Sequence, residues 1–172
     1  MEATTEKDWV SEVGKPAYAS IAEMVAALGC DYDRLEELKD ERDSFETADY
    51  DGKSWEQIKS DDADELAELL AAAGGCADRE HAEQRIQEDA LSVEVRSGWV
   101  IRGENMVAEE FNILLTTGGP AVRILGELDE HGEPRRAWLE VQDWGKAWTE
   151  YFPGTGSQDV LLTYARCFYF GE

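Results

Sequence analysis

Apolar residues recur at two different periods along this chain. Ile21, Met24, Val25 and Leu28 fall at helical spacing between Ser20 and Leu28, and Gly29 follows as a C-terminal stop. Asp31 caps a second predicted helix running to about Ser44, with Tyr32, Leu35 and Leu38 inward and most carboxylates outward. Asp49-Tyr50-Asp51-Gly52 reads as a turn. A third helix through Ala63, Leu66, Ala67, Leu70 and Ala73 ends at Gly74-Gly75, and Asp78 caps a fourth that reaches about Asp89. This helical part is thin in large apolar side chains, so it is expected to lean on the second half for stability.

From Leu91 the period drops to two. Leu91, Val93 and Val95 alternate, Ser97-Gly98 offers a turn, and Trp99-Val100-Ile101 follows as a second strand. Phe111, Ile113 and Leu115 mark a third strand, and Val122, Ile124, Gly126 and Leu128 a fourth. Ala137, Leu139 and Val141, in a run from Arg135, mark a fifth. The short links Thr117-Gly118-Gly119-Pro120 and 129–134 imply antiparallel pairing. Asp159 caps a final helix with Val160, Leu161, Tyr164 and Phe168 on one face, suited to cover the sheet. The expected fold is therefore α+β: an acidic N-terminal helical arm, an antiparallel sheet of about five strands, and a C-terminal helix on the sheet. Residues 1–90 form the helical region and residues 91–172 the sheet with its helix, together one compact domain.

Charge changes this picture. The 172 residues hold 39 Asp and Glu against 16 Lys and Arg, a formal net charge of −23. Such a chain repels nucleic acid and anionic membranes and attracts basic surfaces, so direct nucleic-acid binding is not expected. The 42% of apolar residues still suffices for a core. The acid is unevenly placed. Residues 1–95 hold 27 acids and 9 bases, the remainder 12 and 7. Between Asp31 and Glu68, 16 carboxylates face only Arg34, Lys39, Arg42, Lys53 and Lys59. Adaptation to salt or solubility would spread acid everywhere; this placement points to a patch. Its candidate partner-binding residues are Asp31, Asp33, Glu36, Glu37, Asp40, Glu41 and Asp43, then Asp61, Asp62, Asp64, Glu65 and Glu68. As one helix the segment would span about 57 Å with a carboxylate about every 3.6 Å, against ~3.4 Å between phosphates on one DNA strand. The plainer alternative is a solvated helical face. Trp144 and Trp148, near Trp138, are further partner-binding candidates, with core packing as the alternative.

Nothing in the sequence assembles a catalytic group. His81 lies in an acidic helix and His131 in a turn; Cys30, Cys76 and Cys167 are widely spaced and read as reduced, packed thiols. Asp49-x-Asp51-Gly52 has the middle of a calcium loop, but its twelfth position is Ile58 where a bidentate glutamate is needed. The glycine-rich stretches lack the lysine of a phosphate loop. No enzyme activity, cofactor or metal is expected. The start Met-Glu-Ala-Thr-Thr-Glu-Lys-Asp has no leader pattern and no run is long enough for a membrane span, so the expected location is the cytoplasm.

The strings SVEVRSGW, EFNILLTTGGPAVRILGELDEHGEP, LEVQDWGKAWTEY and LLTYARCFYFGE, with GCDYDRLEELKDERD earlier, carry a resemblance. From about Ile21 onward the chain resembles a family of small acidic proteins encoded on plasmids, integrative elements and prophages of Pseudomonas-like bacteria. The resemblance implies no catalytic residues. It implies a context, because small acidic proteins of mobile elements include anti-restriction and anti-CRISPR inhibitors that imitate DNA. The chain lacks the sequence pattern of the known acidic anti-restriction family. The expected function is thus a DNA-mimic inhibitor occupying the nucleic-acid-binding groove of a host defence nuclease or of a CRISPR or restriction complex. The alternative is an interaction or regulatory protein of a mobile element that works through its sheet and tryptophans. The expected partner is a basic nucleic-acid-binding protein of the host, and a homo-oligomer stays open.

Overall fold

The computed structural model describes residues 3–171, with side chains from Trp9 onward. Met1, Glu2 and Glu172, at the outer ends of the two expected regions, lie outside the described residues, as do the first side chains on which the leader reading rests. The architecture is α+β. Six helices are α1 (Ala3–Leu28), α2 (Tyr32–Asp43), α3 (Trp55–Ile58), α4 (Ser60–Ala73), α5 (Arg79–Asp89) and α6 (Ser157–Ala165). Five strands are β1 (Ser92–Arg96), β2 (Glu110–Thr116), β3 (Ala121–Leu128), β4 (Pro134–Gln142) and β5 (Thr149–Tyr151). Among the described residues no helix is long and apolar enough to cross a membrane. The chain forms two compact units. One holds the residues up to Ala22 together with those from Gln84 onward; the other is Glu23–Glu83. The start of α1 therefore belongs with the sheet, and the acidic helices stand as a unit of their own.

The sheet is an antiparallel meander in the order β1-β2-β3-β4-β5. Alternation sends Phe111 and Ile113 of β2, Ile124 of β3, and Leu139 and Val141 of β4 to one face, where they are almost wholly buried. α6 packs on β4 and closes this inner face with Leu161, Leu162, Tyr164 and Ala165. Each such large apolar side chain contributes about 1.5–3 kcal/mol by leaving water. Beyond α6, Phe170 meets the Phe111 ring at 4.7 Å. Tyr164 is fully buried, and its hydroxyl donates to Asp89 Oδ2 of α5 at 2.7 Å. Burial first, then the Asp89 carboxylate, push its pKa far up, so it stays a hydrogen-bond donor. Gly126 of β3 lies beneath Phe111: a Cβ there would run into the Phe111 ring and the Arg136 carbonyl.

Three elements differ from the sequence reading. Trp99-Val100-Ile101 is not a strand but part of the irregular segment 97–109, and Trp99 is fully exposed. The place beside β1 goes to β2, in the register Val95↔Phe111 and Val93↔Ile113. The run Phe111 to Leu115 alternates and can bury one face, whereas Trp99-Val100-Ile101 is a continuous apolar block with nothing to alternate against. The fifth strand is instead the short β5. The first helix begins well before Ser20 and runs through Pro16; Gly14 makes room there for the Tyr151 ring of β5, and the Lys146 ammonium lies 4.2 Å from the Trp9 ring. Finally, Gly156, at φ 86°, holds the cap of α6, and Asp159 sits inside the first turn, where a carboxylate still faces the positive end of the helix.

The acidic unit closes on a core of its own. Leu35 and Leu38 of α2, Trp55 of α3, and Leu66 and Ala73 of α4 are buried together. Trp55, in a short helix absent from the sequence reading, supplies the bulk that α2 and α4 lack. Ala67 and Leu70, read as inward, are exposed. The caps follow expectation: Asp31 accepts from the Arg34 N–H at 3.0 Å, and Asp78 from the His81 N–H at 2.8 Å.

Two outcomes follow from the inner face. Gly126→Ala destabilises by about 1–3 kcal/mol through overpacking, and Phe111→Leu in the same chain recovers part of that loss, measured by denaturant unfolding. Tyr164→Phe costs about 1.5–3 kcal/mol, the range for a bond to a charged acceptor. The cost shrinks in a double-mutant cycle with Asp89→Ala, which removes the acceptor.

Candidate functional site

Glu23–Glu83 carries 20 Asp and Glu against 6 Lys and Arg in 61 residues. Such a surface is stable only if the carboxylates nearest the core are neutralised. The seam between α2 and α4 does this. The Arg34 guanidinium reaches Glu65 at 2.8 Å and Asp62 at 3.7 Å on α4, and Glu37 at 3.4 Å one turn along its own helix. The Lys59 ammonium bridges Glu41 at 3.1 Å and Asp62 at 3.2 Å. These carboxylates hold the pKa of Arg34 and of Lys59 above its ordinary value, the hydrogen bond that Arg34 donates to Glu65 leading for the first and the one that Lys59 donates to Glu41 for the second. The Cys30 thiol donates to the Leu69 carbonyl at 3.5 Å. Pairings of 30 with 69, 34 with 65 and 41 with 59 run in opposite directions, so α2 and α4 are antiparallel.

The seam divides the candidate acids into two kinds. Asp62, Glu65, Glu37 and Glu41 are held by Arg34 and Lys59, and Asp43 is paired with its neighbour Arg42 at 2.8 Å. Asp62 and Glu65, expected to point outward, are partly buried. Asp31 is exposed but spends one oxygen capping α2. Asp33, Glu36 and Asp40 of α2, and Asp61, Asp64 and Glu68 of α4, are exposed and enter no ion pair among the described residues. They form two short rows, at i, i+3 and i+7 on each helix, and each row is about 10.5 Å long. Successive carboxylates in each row rise about 4.5 and 6 Å along the axis, wider than the ~3.4 Å phosphate rise of one DNA strand. The single array of about 57 Å considered from sequence does not exist, because the segment folds back on itself at 44–59.

The two tryptophans part company. Trp144 is 78% exposed, its ring beside Gly119. Trp148 is half-buried and stacks on the Arg123 guanidinium at 4.1 Å. Arg123 pairs in turn with Glu140 at 2.7 Å, and Glu140 accepts from Trp138 Nε1 at 3.2 Å. Trp148 thus belongs to a packed stack on the outer face of the sheet, and of the two only Trp144 is exposed. The residues that sequence reasoning missed are the organisers, Arg34, Lys59 and Arg123. Only for Arg34 was there a signal: it lies four residues before Leu38, on the inward side of α2.

Reactive groups are otherwise engaged. His81 Nδ1 accepts the Ala77 N–H at 3.2 Å in the cap of α5, and His131 is an exposed turn residue. Burial, and then the neighbouring Asp31, push the Cys30 thiol pKa up, away from a nucleophilic thiolate. Among the described residues no three His, Cys, Asp or Glu side chains gather as they would around a metal ion.

The division of the acids is testable by thermal melts at low salt. Asp62→Asn with Glu65→Gln lowers the melting temperature, because it removes the carboxylates of α4 that tie Arg34 and Lys59 across the seam and leaves them only Glu37 and Glu41. Asp61→Asn with Asp64→Asn and Glu68→Gln leaves it unchanged or raises it by relieving repulsion.

Comparison of the chain with protein-family models, with curated proteins and with solved structures found no match in any of the three.

Proposed function

We propose that this chain is a non-enzymatic acidic inhibitor whose Glu23–Glu83 unit occupies the nucleic-acid-binding groove of a host defence nuclease or of a CRISPR or restriction complex. The observation that carries the reading is the pair of uncompensated carboxylate rows, Asp33, Glu36 and Asp40 on α2 and Asp61, Asp64 and Glu68 on α4. A groove built to hold phosphates holds lysines and arginines in water at a fixed spacing, and rigid carboxylates held in rows replace those phosphates. Rigidity matters here, since ordering a flexible acidic tail on binding would consume much of the gain. The seam of Arg34 and Lys59 supplies that rigidity. The resemblance to acidic proteins of mobile elements is in keeping with such a target.

A second reading, action through the sheet, is favoured by one observation, the exposed Trp144 ring. The two readings part under mutation. Captured from a bacterial lysate on the immobilised chain, a groove-binding partner elutes as salt rises and is displaced by duplex DNA. The six-site variant Asp33→Asn, Glu36→Gln, Asp40→Asn, Asp61→Asn, Asp64→Asn, Glu68→Gln binds it about tenfold or more weaker, with a flatter salt dependence. Titration of target with inhibitor breaks near equivalence, as occupancy requires. Loss of binding on Trp144→Ala with the six-site variant unaffected establishes the sheet reading, and complete inhibition by a small fraction of one equivalent overturns both.

A further inference from the structure

We infer that two copies of this chain pair through the free edge of β1, extending the meander across a two-fold axis at Val95. The two sheet edges are unlike. β5 is only three residues long, the ordinary way to blunt an edge, whereas β1 runs for five residues with no proline, no lysine and no bulge against its partner. The Arg96 carbonyl accepts from the Glu109 N–H at 2.9 Å and so points to β2. By alternation the backbone groups of Val93 and Val95 point away from the sheet, and no backbone hydrogen bond outside the ladder reaches them. Their side chains lie on the inner face beyond its cover and are 39% and 52% exposed. Met106 and Val107, both exposed, line a hollow together with Val95 and add apolar surface there.

Charge and register select a second copy as the occupant. In an antiparallel pair of β1 strands related by a two-fold axis, three registers let the outward backbone groups meet. Centring on Glu94 sets Glu94 against its own copy. Centring on Val93 sets Ser92 against Glu94. Centring on Val95 lets the two Val95 residues exchange both N–H···O bonds and sets Glu94 opposite Arg96 of the other copy, twice. Glu94 otherwise only accepts a bond from Asn112, at 3.1 Å, and Arg96 pairs with Glu110; the guanidinium fork has donors for a second carboxylate. The strand is thus complementary to itself. In that register the four side-chain charges that the two β1 strands carry, two Glu94 and two Arg96, alternate in sign, with each Arg96 shared with the Glu110 beside it.

Whole-molecule repulsion opposes association, which fixes the salt response: pairing strengthens as salt rises, the opposite of binding through the acidic unit. The test is sedimentation equilibrium of the full chain at low and high salt. A monomer–dimer equilibrium that tightens with salt is expected. Val95→Pro removes an N–H that points away from β2 and weakens the dimer about tenfold or more. Glu94→Arg and Arg96→Glu each weaken it, and Glu94→Arg with Arg96→Glu together restore it, which circular dichroism separates from misfolding. A monomer at every salt and concentration overturns the proposal and leaves the edge to a strand of another protein. So does a dimer indifferent to both Val95→Pro and the charge reversals. Neither result bears on inhibition by the carboxylate rows.

Discussion

Mutual repulsion among twenty carboxylates in a 61-residue unit is the constraint that everything on the acidic side must satisfy. One buried cluster of Leu35, Leu38, Trp55, Leu66 and Ala73, with Met24, Ala27, Leu28, Cys76 and Ala82 also buried in the unit, supplies the cohesion. A core of that size is marginal by itself. What makes the helices tolerable neighbours is that two cations, Arg34 and Lys59, stand where α2 and α4 meet and pair with four of the acids, of which Asp62 and Glu65 are partly buried. Exposed ion pairs are weak one at a time, but these share partners and lie at a packed seam, which raises their worth. The remaining acids are pushed outward by the same geometry. The ion pairs that join the helices and the unpaired charge on the surface therefore come from different carboxylates of the same helices.

The other unit solves a different problem. A five-stranded meander has one face to bury and two edges to protect. α6 covers the inner face at β4, with Tyr164 anchored to Asp89 and Phe170 folded onto Phe111. Gly126 is the concession that lets Phe111 lie flat against the sheet. The outer face is polar, held by the stack of Trp148, Arg123, Glu140 and Trp138, so charge here is internally balanced. That balance leaves β1 and the exposed Trp144 as the distinctive features of this surface. The two units thus present opposite surfaces, one of unbalanced charge and one with an open strand edge and exposed apolar side chains.

Periodicity and capping chemistry determined most of the fold from sequence alone. The bounds of α2 follow from Asp31 and Ser44 and the end of α4 from Gly74, and the inner faces of β2, β3 and β4 follow from strict alternation, because these signals depend only on neighbours along the chain. The acid of the unit was equally visible, being a matter of composition. What tertiary structure alone decided is which acids face the solvent and which strand lies beside β1. Asp62 and Asp61 are adjacent in sequence and identical in chemistry, yet one is clamped by Arg34 and Lys59 and the other is not. Trp99-Val100-Ile101 has high strand propensity and no partner, while Thr149–Tyr151 is a strand because β4 is there to pair with it. Both outcomes depend on contacts between residues far apart in the chain, whose energies no local pattern encodes.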